Sequence, residues 1–140
     1  MNRQNITSGA KWEDIVGYSR GVRMEYGGMV VVEIAGTTAV DDNGNLVGKN
    51  DLYAQTKFTL QKIEKALAEA GATMADVVRT RMFLTDISQW QEMGKAHGEF
   101  FRDVKPASTA VGVSALIDPD MLIEIEVSAM FSRVGAGQTG

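Results

Sequence analysis

The residues able to do chemistry are few and regularly spaced. Glu124 and Glu126 lie two apart in the run Leu122-Ile123-Glu124-Ile125-Glu126, where apolar and polar positions alternate. That alternation is the period of a half-buried strand, so both carboxylates project from one face, about 6–7 Å apart. Arg79 and Arg81 repeat the arrangement with guanidinium groups. A carboxylate can position a water or move a proton, and a guanidinium can grip an anion. The simpler alternative is a cross-strand ladder, Glu126 against Arg79, contributing about 0.2–1 kcal/mol per pair. Glu124 has a similar alternative as partner of Arg81. His97 is the single histidine, and its ordinary pKa lets it exchange protons near neutral pH. Four residues after Met93 and seven after Trp90, it falls on the inner face of a helix, where packing is the simpler role.

The composition narrows the remaining chemistry. There is no cysteine, which removes disulfides, thiolate metal sites and a thiol nucleophile. One histidine excludes a multi-histidine metal site, and no cofactor is implied. Acidic residues number 18 against 14 basic, a net charge of −4, so no basic field draws nucleic acid or an anionic membrane. No stretch approaches the ~20 apolar residues of a membrane span. The opening Met1-Asn2-Arg3-Gln4-Asn5 leads into no apolar signal segment, and a cytoplasmic location is the expectation.

The elements that must hold these residues follow from periodicity and turn chemistry. The 140 residues suit one domain, here 1–134, followed by a glycine-rich tail at 135–140 that frays. Residues 18–24 read as a strand with apolar Val22 and Met24 alternating with polar residues. Tyr26-Gly27-Gly28 is a turn, and the β-branched run at 30–35 is a strand covered on both faces, interrupted by Glu33. A helix starts at Asn50 or Asp51 and stops at Gly71. Residues 77–84 form a strand. Ser88 and Gln91 make a capping box for a second helix, whose inner face carries Trp90, Met93, His97, Phe100 and Phe101. Gly94 and Gly98, one turn apart in it, are expected to permit close packing. Residues 108–114 and 122–131 are the last strands. Two helices for about six strands give an α+β, mixed six-stranded sheet with both helices on one face. In residues 108–114 the small side chains Ser108, Ala110, Gly112 and Ser114 share one side. They are assigned, with Glu124 and Glu126, to the uncovered face, where a second subunit or a ligand must fill the space.

On these residues the chain resembles the Rid (YjgF/YER057c/UK114) family over about residues 17–131. The resemblance is carried by Gly17-Tyr18-Ser19, Ala35-Gly36-Thr37, the helix at 60–71, Pro106-Ala107-Ser108-Thr109 and the run Leu122 to Glu126. It implies a chorismate-mutase-like fold assembled as a barrel-cored homotrimer, with small-metabolite clefts at the subunit boundaries. It also implies hydrolysis of imine or enamine intermediates to carbonyl compounds and ammonia. Glu124 matches the family's water-positioning glutamate, and Tyr18 a cleft tyrosine.

The departures are equally informative. The arginine that clamps a substrate carboxylate falls at Ser108, a nearby cysteine at Ala110, and an asparagine at Gly94. A neutral hydroxyl cannot replace a charged fork, and losing such a pair should cost ~2–5 kcal/mol of binding. This argues against the archetypal 2-aminoacrylate deaminase. Arg20, on Tyr18's side of its strand, and Arg81 are the substitute cations. Ser108, Ala110, His97, Arg81 and Arg20 therefore form the candidate substrate contacts, with Glu124 and Tyr18 as the catalytic pair. Alternatives are a non-catalytic small-molecule binder or chaperone-like interaction protein and, against the acidic balance, an endoribonuclease acting as a translation inhibitor.

Overall fold

The computed structural model describes residues 1–133; the tail expected at 135–140 lies outside them. In chain order the elements are β1 (Asn2–Ile6), α1 (Lys11–Val16), β2 (Gly21–Tyr26), β3 (Met29–Thr37), α2 (Leu52–Glu69), β4 (Val77–Leu84), α3 (Trp90–Phe101), β5 (Ala107–Gly112) and β6 (Ile123–Ser132). They build a six-stranded sheet ordered β1-β2-β3-β6-β4-β5. Every pairing is antiparallel except β4 with β5, whose parallel course requires the crossover that α3 supplies. The α+β expectation of a mixed sheet is met.

Val30, Val32, Ile34, Met82, Leu84, Ile123, Ile125 and Val127 point to the helix side and are buried against Leu60, Ile63 and Leu67 of α2 and Met93 and Phe101 of α3. Asp51 caps α2 by accepting from the Ala54 N–H at 3.0 Å. Gly71, at φ 83°, closes it in the left-handed conformation that glycine adopts without steric cost. No helix among the described residues is long and apolar enough to cross a membrane.

Several local expectations are corrected. β1 and α1 were not foreseen: β1 is polar and buries only Ile6, and α1 has six residues, too few for a helical period to show. The strand expected from residue 18 begins at Gly21, because Gly17 ends α1 at φ 87° and Tyr18 bonds back to Glu13. Val22 and Met24 pair with Glu33 and Val31. They therefore face away from the helices, while Arg23 reaches the other way and its Nε donates to the Ala70 carbonyl at 3.0 Å. The run in β3 is covered on one face only, Glu33 being exposed.

The entry to α3 also differs. Asp86, not Ser88, organises it, accepting from the Ser88 N–H and hydroxyl and starting a 3₁₀ turn over Ile87–Gln89. That turn rotates Trp90 outward, 54 % exposed. Gly94 and Gly98 make no close helix contact: a Cβ on Gly94 would meet nothing, and one on Gly98 only the Arg102 guanidinium.

The largest correction concerns β5, which ends at Gly112 rather than residue 114. Its parallel register places Ser108 beside Thr80 and Ala110 beside Met82. Paired residues share a side, so the small side chains lie on the helix side, while Thr109 and Val111 accompany Arg81 and Phe83 on the open face. They remain exposed because β5 is the sheet edge.

Candidate functional site

Glu124 stands on the open face of β6, opposite Phe83 of β4, and is half-buried. The β3–β6 register shifts between Ile34 and Thr37, and in that irregularity Gly36 lies directly under the Glu124 carboxylate. A Cβ at Gly36 would overlap the carboxylate oxygen. Arg20 comes from the segment before β2, its Nη2 donating to the Gly36 carbonyl at 2.5 Å. Its Nε is buried without a hydrogen-bond partner, and its guanidinium sits 5.8 Å from the Tyr18 ring centre. From α2, Lys62 donates to the Thr38 carbonyl at 2.9 Å.

Burial pushes the Glu124 carboxyl above its ordinary pKa; the Arg20 charge opposes the rise and that of Glu126 adds to it. Burial, then the Arg20 charge, lowers Lys62. A carboxyl raised by desolvation and held near a guanidinium is suited to accept a proton from water while an anionic group is held close by.

The arginines of β4 are otherwise engaged. Arg81, not Arg79, faces Glu126, at 3.7 Å, and Arg79 donates to the Thr109 hydroxyl at 2.5 Å. Arg81 is thus not the partner of Glu124. With Tyr18, Glu33 and Glu126 it lines a cavity of about 710 Å³ between α1 and the open face. Glu124, Arg20, Ser108, Ala110 and His97 are not among that cavity's walls.

On the other side of the sheet a second group assembles. The Thr80 hydroxyl, fully buried, lies 3.0 Å from His97 Nε2 and 2.6 Å from the Ser108 hydroxyl. The His97 ring packs on Phe101 with centroids 4.7 Å apart. Burial lowers its pKa, so the imidazole is neutral at pH 7. Ala110 is exposed two residues along β5 and offers no polar atom. Within one chain, then, the candidate residues other than Arg81 and Ala110 fall into two groups, Tyr18–Arg20–Glu124 and His97–Ser108 joined by Thr80, on opposite sides of the sheet. Among the described residues no group of three or more acidic or histidine side chains is placed to hold a metal.

Residues 8–131 match the family model described as Endoribonuclease L-PSP. The chain belongs to this family, known also as YjgF/YER057c/UK114 or Rid. It is similar to a Streptomyces coelicolor protein named Uncharacterized protein SCO2049, at 36% identity over 90% of each chain. Among solved structures it resembles Rv2704 from Mycobacterium tuberculosis, a member of the YjgF/YER057c/UK114 family, at 45% identity and TM-score 0.79, covering 93% of this chain and 100% of the other. It also resembles the Rid-family protein YyfB from Yersinia pestis, at 36% identity and TM-score 0.68, covering 94% and 100%. The six-stranded mixed sheet with its helices is the Rid fold of these neighbours.

Two residues escaped the sequence reading of this Rid protein. Gly36 sits in the Ala35-Gly36-Thr37 segment that carries part of the resemblance, but its service as a floor for Glu124 depends on a register shift that alternation does not encode. Thr80 had a legible signal: with Met82 and Leu84 it occupies the inward positions of β4, so a hydroxyl there needs an internal partner.

Proposed function

We propose that this Rid protein forms a homotrimer whose intersubunit clefts bind a small carboxylated metabolite and hydrolyse its imine or iminium form. The observation that carries this reading is the convergence of the Glu124 carboxyl and the Arg20 guanidinium around Gly36. Glu124 takes a proton from water as the water oxygen attacks the iminium carbon. Glu124 then passes that proton to the carbinolamine nitrogen, the C–N bond breaks with its electron pair leaving on ammonia, and the hydroxyl oxygen becomes the carbonyl as its proton goes to solvent. Arg20, with an unpartnered buried Nε, supplies the cation that Ser108 does not, and Tyr18 closes the side of the cleft. Trimer formation covers the apolar groups left open in one chain, including Val111, Met130 and Val78, each more than 40 % exposed.

The test couples an amino-acid oxidase, which generates imines, to ammonia detection. Ammonia release faster than buffer is expected from the wild type, and Glu124→Gln should lower it ~100-fold or more while ligand-induced thermal stabilisation persists. Release no faster than buffer across a panel of amino acids overturns the reading.

The neutral Ser108 favours a second one, binding without turnover. It predicts stabilisation by ligand with no ammonia from any imine.

A further inference from the structure

The imine chemistry leaves the His97–Thr80–Ser108 cluster unused. Its three members come from α3, β4 and β5 and meet through two contacts of hydrogen-bond length, 3.0 and 2.6 Å. Thr80 is fully buried and needs one partner; it has two. Ser108 is exposed on the edge strand and could have been satisfied by solvent. Beside His97, a Cβ on Gly94 would meet no atom within 4 Å, so space remains on this side of α3. The pattern is an exposed hydroxyl linked inward to a half-buried base, the arrangement that activates serine nucleophiles, with a threonine hydroxyl inserted between them.

We propose that His97, acting through Thr80, makes Ser108 a nucleophile toward small activated acyl compounds; within one chain this group lies on the other side of the sheet from Glu124. A neutral imidazole carries one ring proton. With that proton on Nδ1, Nε2 accepts from Thr80, and Thr80 accepts from Ser108. When Ser108 Oγ bonds to the acyl carbon, its proton passes to Thr80 Oγ1 and the Thr80 proton to His97 Nε2. The bond from the acyl carbon to the leaving oxygen breaks, and the leaving group departs with that electron pair. The imidazolium then returns its proton to solvent. The lowered His97 pKa agrees with this role, since it keeps the base unprotonated at neutral pH; no charged group contributes to that shift, and Phe101 is the ring packed against it. The opposite tautomer reverses the chain and directs the Ser108 proton to the Pro106 carbonyl, 3.2 Å away, leaving no activation.

The experiment treats the full-length protein with p-nitrophenyl acetate, following p-nitrophenolate release and locating the acetyl group by mass spectrometry. A stoichiometric burst with acetate on Ser108 is expected, with a rate that rises through an inflection below pH 6.5, the ordinary histidine value. Thr80→Val should slow the burst ~100-fold or more, His97→Gln similarly, and Thr80→Ser should restore it to within a few-fold. Nitrogen-15 NMR of His97 should show the Nδ1–H tautomer, a readout that needs no reactivity and no folded valine variant. Acetylation confined to lysines or the N-terminus, a Thr80→Val rate equal to wild type, or the Nε2–H tautomer would each overturn the proposal.

Discussion

The open-face cluster around Glu124 and the edge cluster around Ser108 are two solutions to placing polar chemistry on one sheet. In the first, a carboxyl and a guanidinium are held by backbone: Gly36 makes room for one and its carbonyl anchors the other. Charge is the working property, and partial burial tunes it. In the second, every group is neutral and the connection runs through hydroxyls from neighbouring strands. Within one chain, β5's parallel register turns Ser108 to the helix side and so away from the carboxyl and guanidinium on the open face. Ser108 is thus held among neutral hydroxyls, and the guanidinium nearest Gly36 in the same chain is that of Arg20.

Four measurements break or sharpen that division. The largest effect belongs to Arg20→Met, which should weaken binding of a carboxylated substrate by ~2–5 kcal/mol, read as a raised KM, while Ser108 acetylation keeps its wild-type rate. Next, Gly36→Ala forces the Glu124 carboxylate aside. The clash is with the end of a flexible, half-buried side chain, so we expect a loss of ~1 kcal/mol or less in urea unfolding together with lower ammonia release, and release equal to wild type would refute the positioning argument. Third is the pH dependence of stability. His97 has a lowered folded pKa, so its contribution is present above the unfolded value near 6.5 and is lost as pH falls through the folded value. Glu124 has a raised one, so its contribution is present at acid pH and lost as pH rises through the folded value. Each gives at most a single-proton slope of ~1.4 kcal/mol per pH unit. His97→Gln should flatten the acid limb and Glu124→Gln the other, measured as urea midpoints across pH. The smallest effect belongs to Arg81→Met: its 3.7 Å pair with Glu126 is about two-fifths exposed on both sides, so stability should change by under ~1 kcal/mol. A larger loss would show that the β4 arginines belong to the open-face machinery.

What the sequence disclosed follows from which signals are local. Alternation in Leu122 to Phe131 set the inward and outward faces of β6 correctly, and Asp51 and Gly71 marked both ends of α2. The family resemblance singled out Glu124 and Tyr18; in the structure Arg20 sits 5.8 Å from the Tyr18 ring centre and its charge acts on Glu124. What failed depended on partners distant in the chain. The alternation of Val22 and Met24 leaves their face open until their register with Glu33 and Val31 turns them away from the helices. The arginine ladder is shifted by one pair, with Arg81 opposite Glu126 and Phe83 opposite Glu124, because neither strand's own sequence encodes the register between them. Ser108 was assigned to the wrong side because a strand's own alternation distinguishes two faces without saying which one a helix covers.

The place of β6 in the sheet has a consequence for how the molecule is made. It is the last strand among the described residues, yet it is hydrogen-bonded at the centre, between β3 and β4. During synthesis, β1 to β3 and β4 with β5 must leave the ribosome as two half-sheets with nothing bridging them. Only when residues 123–132 emerge do the halves join and the floor beneath Glu124 come into being. A nascent chain halted before Ile123 would carry both apolar half-faces unsealed, and would depend on chaperones until release.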